Sequence, residues 1–403
     1  MSLDGAVPSS APGSAQHQVA SASRAPADRV VPVSDVVVRS VTSRRDLKRF
    51  IEFPFALHRH DPHWVAPLLV SEWQRFDARK NPFLRHARIE LFLAERHGEL
   101  VGRIAGIDDD HHNATHHDNL AFFGFFEAAD EAAAHALLAA VETWARTLGR
   151  HLLRGPANPS MNDGSGFQID AFDTSPFVMM PYNPPAYPRY VETAGYCKVK
   201  DLYAWLFEDA PDLGERVVRL AARVERRYRP TIRPLDPRHF ERDVRLLKRI
   251  YAEAWEHNWG FVQYTDAEFD HMAAELKLII DPGINLFIEL GGEVAGVAIN
   301  LPDINQVLKK IRGRLLPFGI FTLLNRRRHI DRTRLPILGI LPKYRMKGLE
   351  LVLIKECLQR WKARGYRSCE CSWVLEDNDA INAGIRATGG TIYKTYRLYQ
   401  KPL

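Results

Sequence analysis

The densest chemical signal in the chain is Ile340-Leu341-Pro342-Lys343-Tyr344-Arg345-Met346-Lys347-Gly348-Leu349. An apolar run enters a turn with cations and a glycine, and a helical pattern from Leu349 to Arg364 follows. Such a turn presents N–H groups without intrahelical partners, at the positive end of the helix dipole. A pyrophosphate suits that place. Arg345 and Lys347 add charge-assisted contacts, and Gly348 admits a close backbone approach. The histidines of Asp108–His112 and His116–Asp118 suggest a metal less than a solvated hairpin loop, because adjacent residues in a loop seldom converge on one ion. No metal site is expected. Serine-hydrolase (G-x-S-x-G) and dinucleotide (G-x-G-x-x-G) fingerprints are absent.

The elements that must carry this turn occur twice. Val36–Val41 and Thr231–Leu235 read as strands, each followed by a helix. Leu91–Glu95 and Leu286–Leu290 each lead through a Gly-containing turn into a second strand, so both are hairpins. Phe122–Phe126 precedes a helix over Glu131–Leu148, as Ile337–Leu341 precedes Leu349–Arg364; both helices stop at glycine, Gly149 and Gly365. Strands follow at His151–Arg154 and Ser368–Val374, and each half ends in an aromatic-rich strand, Tyr196–Trp205 and Gly390–Tyr399. A helix near Leu213–Arg227 links the halves. The expected organisation is α+β: a tail over 1–34, an N-terminal module over 35–207, a helical linker over 208–229, and a C-terminal module over 230–403 with an insertion at 305–334.

The 340–349 motif resembles the acyl-CoA-binding segment of the GNAT superfamily of N-acyltransferases: a strand, V-x-P, [RQ]-x-x-G-x-[GA], then a helix. Glu376–Ile381, with Gly389-Gly390 downstream, resembles that family's second motif. The resemblance covers residues 230–403 in motif and residues 35–207 in element order only. It implies two tandem modules, each a mixed, largely antiparallel twisted sheet flanked by helices. It also implies acyl-CoA or acetyl-CoA as co-substrate, with Leu338, Gly339, Ile340 and Leu341 pairing their backbone with the pantetheine arm. Arg345, Lys347, Gly348 and Asn378 would complete that site. This chain departs from the pattern at Glu350, where the family has Gly or Ala, and at Ile385, where many members place a tyrosine acid.

Transfer of an acyl group from a thioester to an amine needs a neutral amine, an oxyanion donor, a proton acceptor and a proton source. Backbone N–H groups near Ile340 suit the oxyanion. Asp303 is the favoured base, with Glu370 and Glu376 as rivals, and Tyr393 and Tyr396 are the acids to weigh. Asn258, Trp259 and Asn305 fall where the family binds its acceptor. In the N-terminal copy, Glu127–Glu131 offers neither cation nor glycine at the corresponding turn, so that half is not expected to bind CoA. Its polar run Gly155–Asp163 opens a long proline-rich stretch to 188 that reads as a structured loop or a wall of the acceptor site.

Composition bounds the rest. The chain of 403 residues, 46% hydrophobic and 26% charged, is ordinary globular protein, and its four cysteines form no C-x-x-C pair, so a zinc ribbon is excluded and a reducing compartment is expected. Residues 1–34 hold seven Ala, seven Ser and four Pro and read as a disordered tail without a secretory signal, which points to the cytoplasm. The net charge of +6 is local: residues 304–334 hold nine Lys or Arg against Asp331 alone, so the remainder is slightly acidic. Within that insertion Leu315–Leu324 is apolar and too short to span a bilayer. Basic clusters around ten apolar residues fit peripheral contact with an anionic membrane through 309–328, or a buried helix or lid. Nucleic acid is not the expected partner. Length, duplication and this insertion resemble the bacterial ceramide synthases within the superfamily, which implies a sphingoid base as acceptor. An acetyltransferase of a small soluble amine and a non-catalytic acyl-CoA-binding protein are the competing readings.

Overall fold

The computed structural model describes residues 35–209, 213–256, 258–315, 317 and 319–403; the tail read over 1–34 lies outside them, as do Leu316 and Phe318 of the apolar insertion. Residues 35–403 form one unit. The first half runs β1 (Val36–Ser40), α1 (Arg44–Leu57), α2 (Leu69–Arg75), β2 (Ala87–Arg96), β3 (Glu99–Asp109), α3 (Asp110–His116), β4 (Leu120–Ala128), α4 (Glu131–Thr147), β5 (Leu152–Gly155), α5 (Ala186–Thr193) and β6 (Cys197–Phe207). After α6 (Glu215–Tyr228) the second half repeats the order. It runs β7 (Thr231–Pro234), α7 (Phe240–Trp255), α8 (Asp266–Lys277), β8 (Leu286–Leu290), β9 (Glu293–Pro302), α9 (Asn305–Ile311), α10 (Gly319–Leu324), β10 (Arg332–Ile340), α11 (Leu349–Ala363), β11 (Ser368–Leu375), α12 (Asp379–Ala387) and β12 (Thr391–Pro402).

The strands build one sheet in the order β1-β2-β3-β4-β5-β12-β6-β11-β10-β9-β8-β7, with a short Phe167–Gln168 strand beside β12. The two final strands are exchanged: β12 lies against β5 of the first half, and β6 lies against β11 of the second. They pair with each other in the middle, so the halves share one continuous ladder. Neighbours are antiparallel except β4 with β5 and β10 with β11. A βαβ crossover supplies each parallel pair, through α4 and α11.

Helix patterning places the core on both faces. Leu349, Val352, Leu353, Cys357 and Trp361 of α11 pack with Trp205, Cys369 and Cys371 on one face. Ile250 of α7 joins Phe287, Val297, Ile299 and Leu301 on the other. Several helix starts are capped by side chains: Ser43 receives the Asp46 N–H, Asp130 receives that of Ala133, and Thr265 with Glu268 forms a capping box on α8.

Candidate active site

Two forks interrupt the sheet. β10 pairs with β11 only over Arg332–Leu335 against Ser368–Cys371, and the strands part beyond that point. A bulge on β10 between Arg334 and Ile337 accompanies the parting. On its other side Val297 pairs with Gly339, and Leu341 donates to the Ala295 carbonyl (2.9 Å). Strand alternation therefore turns the backbone groups of Leu338 and Ile340 into the fork. Gly339 lets α7 lie close, since a Cβ there would stand 2.6 Å from the Trp255 ring.

The fork leads to the turn singled out in the sequence. Gly348, at φ +79°, is the N-cap of α11 and supplies no side-chain cap, so the helix start stays open. Arg345 folds over the strand end, with Nε 3.4 Å from the Ile340 carbonyl and a terminal nitrogen 3.0 Å from that of Ala254. Lys347 rests over the Tyr228 ring of α6 (5.4 Å). Arg345, Lys347, Gly348 and Leu338–Leu341 are thus gathered at one place. Asn378 lies at the far end of β11 and caps α12 by accepting the Ile381 N–H (3.3 Å). Ile385 is a buried core residue against Gly390, so no acid stands there.

The counterpart in the first half has the same fork, with β4 and β5 paired only over Leu120–Phe122, but it is filled. Asn158 takes the Phe125 N–H (2.5 Å), and a Cβ on Gly124 would fall 1.7 Å from the Ala157 carbonyl. Its helix start carries the Asp130 carboxylate, itself bound by Arg96. The polar run Gly155–Asp163 thus packs into its own half's fork.

Glu370 and Tyr393 meet just short of the C-terminal fork, and Asp303 is buried close enough to feel the Glu370 charge. Glu370, on β11 opposite Arg334, holds Ser372 Oγ at 2.5 Å through Oε1 and Tyr393 OH through Oε2. Arg334 is buried, 3.6 Å from Glu370, and donates to Ser372 Oγ (2.9 Å) and to the Ser372 and Val178 carbonyls (both 3.1 Å). Ser372 is the first residue of β11 beyond the paired stretch, so its hydroxyl stands where the strands part. Arg334 and Ser372 were not singled out in the sequence. Alternation along Ser368–Val374 places Glu370 and Ser372 on one face, which was the available signal. Burial pushes the Tyr393 phenol well above its usual range, with the Glu370 charge adding to the rise. Lys394 is buried and donates to the Thr174 carbonyl (3.0 Å); burial lowers it to about 8.

Asp303 holds a different post. Its Oδ1 accepts the N–H groups of Val178 (2.9 Å) and Asn305 (3.2 Å), and its Oδ2 meets Arg332 (2.7 Å). Asn305 donates to the carbonyls of Pro176 (3.0 Å) and Phe177 (2.9 Å). Together with Arg334 and Lys394 these side chains strap residues 174–178 of the first half over the cluster. Burial pushes Asp303 up to about 6, opposed by Arg332. A carboxyl raised from 3.8 to about 6 binds a proton in the fold that the unfolded chain has released, so its contribution falls as pH rises from about 4 to 6. Across that window wild type should lose, relative to Asp303→Asn, about 3 kcal/mol of unfolding free energy. Urea titrations at pH 4, 5, 6 and 7 test this; parallel curves would contradict it.

Trp259 lies under Arg154 and Lys200 of the first half, at 5.2 and 5.4 Å. Neighbouring carbonyls are held from the same side, Phe261 by His116 (2.9 Å) and Val262 by Asn162 (2.6 Å). Asn258 continues the turn, its N–H donating to Trp255. The segment between α7 and α8 therefore closes against the first half. The His-rich residues expected as a solvated loop form α3 instead. His112 is buried, and burial lowers it to about 4, aided by His116. Among the described residues no group of three or more His, Cys, Asp or Glu side chains is placed to hold a metal.

A duplicated strand–helix pattern, a forked parallel pair and an open helix start are the architecture of a tandem acyltransferase of the GNAT class. Solved structures share the fold. The tandem GNAT protein from the clavulanic acid biosynthesis pathway is 11% identical with a TM-score of 0.53, covering 91% of this chain and 98% of its own. A GCN5-related N-acetyltransferase from Sphaerobacter thermophilus is 14% identical with a TM-score of 0.50, covering 91% and 96%. No family model matches the chain. Over 381 residues it is 37% identical to the bacterial ceramide synthase of Caulobacter vibrioides (strain NA1000 / CB15N), covering 92% of this chain and 98% of that protein. It is 32% identical to protein YghO of Escherichia coli (strain K12), covering 91% and 95%. The chain belongs to the bacterial ceramide synthase family.

Proposed function

We propose that the chain transfers a long acyl group from acyl-CoA to the primary amine of a lipid of the sphingoid-base type, at the C-terminal fork. The observation that carries the lipid acceptor is the near full-length identity to a protein named for ceramide synthesis. The open start of α11 takes the pyrophosphate, with Arg345 and Lys347 as its cations. The backbone groups of Leu338 and the Ile340 N–H, turned into the fork, pair with the pantetheine arm. Leu341 N–H is already bonded to Ala295, which leaves the Ile340 N–H, or that of Leu338, for the developing oxyanion.

Glu370 suits the base better than Asp303. It is two residues from the parting of the strands, whereas Asp303 lies opposite Arg332, two residues further back, and holds the strap. The amine nitrogen attacks the thioester carbon while its proton passes through Ser372 Oγ to Glu370. The C–S bond then breaks, and the Glu370–Tyr393 pair returns a proton to the thiolate. The products are an amide and CoA. Asn378, bound to α12, would touch CoA only at its periphery, and Glu376 is engaged by Lys198 and the Asp201 N–H.

Calorimetric titration with palmitoyl-CoA and acetyl-CoA tests the reading. The expected result is one palmitoyl-CoA per chain, bound at least tenfold more tightly than acetyl-CoA. That preference follows from a longer apolar chain, at about 0.8 kcal/mol per buried methylene. Two sites per chain would contradict a closed N-terminal fork. Equal affinities would favour a small soluble amine as acceptor.

A further inference from the structure

The insertion between β9 and β10 places a basic and apolar face on the outside of the second half. Of the nine cations counted there, Arg332 and Arg334 turn inward to the buried cluster. The other seven stay outside: Lys309, Lys310, Arg312, Arg314, Arg327 and Arg328 are exposed and Arg326 is half-buried. α10 is two-sided. Leu323 packs against the buried core, as do Leu276, Ile279 and Ile330, whereas Phe321 and Leu324, three apart, are 61% and 68% exposed. Leu278, beyond the end of α8, is 73% exposed, and Arg326 donates to its carbonyl (2.8 Å), which ties the two segments together. Leu278 draws no attention in the sequence because it belongs to another element.

We propose that this face docks on an anionic phospholipid surface, with Leu278, Phe321 and Leu324 entering the interface and the Arg326–Arg328 run meeting headgroup phosphates. Three large apolar side chains left in water beside an arginine run match an interface that offers both acyl chains and phosphate. Nucleic acid would meet the charge but leave these apolar side chains in water. The position also fits the reaction, and in this respect the inference rests on the proposed lipid acceptor. α9 starts at Asn305, bound to the strap over Glu370, and its seven residues span about 10 Å, with Lys309 and Lys310 of the basic segment in its last turn. An amine lifted from the bilayer there would have a short distance to travel.

Flotation of the full chain with vesicles tests the docking without turnover. Vesicles of phosphatidylcholine with about one third phosphatidylglycerol should bind, vesicles of phosphatidylcholine alone should bind at least tenfold more weakly, and binding should fall with added salt. Neutralising Arg326, Arg327 and Arg328 to Gln should weaken binding on the order of a hundredfold, at about fivefold per cation. Phe321→Asp with Leu324→Asp should abolish it. Palmitoyl-CoA titration of each variant reports folding and the acyl-CoA site independently. Unchanged vesicle binding in both variants with acyl-CoA binding intact would overturn the docking and leave the enzyme reading standing. Equal binding to neutral vesicles, or tight binding to duplex DNA with none to vesicles, would overturn it as well.

Discussion

Glu370→Gln should abolish acyl transfer and leave acyl-CoA binding in place. The side chain is buried, its two oxygens are engaged by Ser372 and Tyr393, and it stands two residues before β10 and β11 separate. Glutamine keeps the shape and an acceptor oxygen but cannot take a proton. The expected fall in kcat is roughly 10²–10⁴-fold, the usual contribution of a general base. The substitution also removes the charge beside Arg334, and breaking a buried pair costs about 3–5 kcal/mol, so fold and activity must be read separately. Calorimetric titration of palmitoyl-CoA does that. Unchanged affinity with lost turnover supports the proton-acceptor role, whereas retained turnover sinks it. Tyr393→Phe gives an independent reading, because it frees one Glu370 oxygen without altering the charge; kcat should fall while acyl-CoA affinity holds.

Gly348→Glu should remove acyl-CoA binding altogether. The backbone at φ +79° is one that a side chain adopts at a cost of roughly 1–2 kcal/mol. A Cβ would stand 2.9 Å from a methyl of Val224 on α6, so that side chain or its helix must give. The new carboxylate would also face the proposed pyrophosphate position at the start of α11, which has no side-chain cap. Like charges at contact distance near a surface repel by about 4 kcal/mol, so a loss of more than a hundredfold in affinity is expected. Gly348→Ala carries the strain and the Val224 contact without the charge and should fall between the two. A melting curve close to wild type shows that the loss is local. Full affinity in Gly348→Glu would place the pyrophosphate elsewhere.

The duplicated order of elements was legible because each helix and hairpin announces itself locally, through periodicity, caps and glycine stops. The exchange of β6 and β12 was not. Both are aromatic-rich strands with the same alternation, and nothing local distinguishes the neighbour each will choose. The turn before α11 was legible because the residues proposed to hold acyl-CoA are consecutive in sequence. The buried carboxyls Asp303 and Glu370 were legible in residue type but not in their partners. Asp303 reads as a base at a strand end, and its bond to the Val178 N–H, across 125 residues, has no local signal. Arg334 reads as one cation of a basic segment and only the strand pairing turns it inward beside Glu370. The histidines of α3 read as a loop because their partners lie outside that segment, His112 on the Phe122 ring and His116 on the Phe261 carbonyl 145 residues away.

The central claim is that this fork joins a long acyl group to a lipid amine. The most direct test is mass-spectrometric detection of the amide formed from palmitoyl-CoA and a long-chain amino alcohol, with release of free CoA thiol in equal amount. The wild-type chain should form the amide, Glu370→Gln and Gly348→Glu should not, and a short polyamine should be a poor acceptor. Binding of palmitoyl-CoA without amide on any amine, or acylation of the polyamine in preference to the lipid, would contradict it.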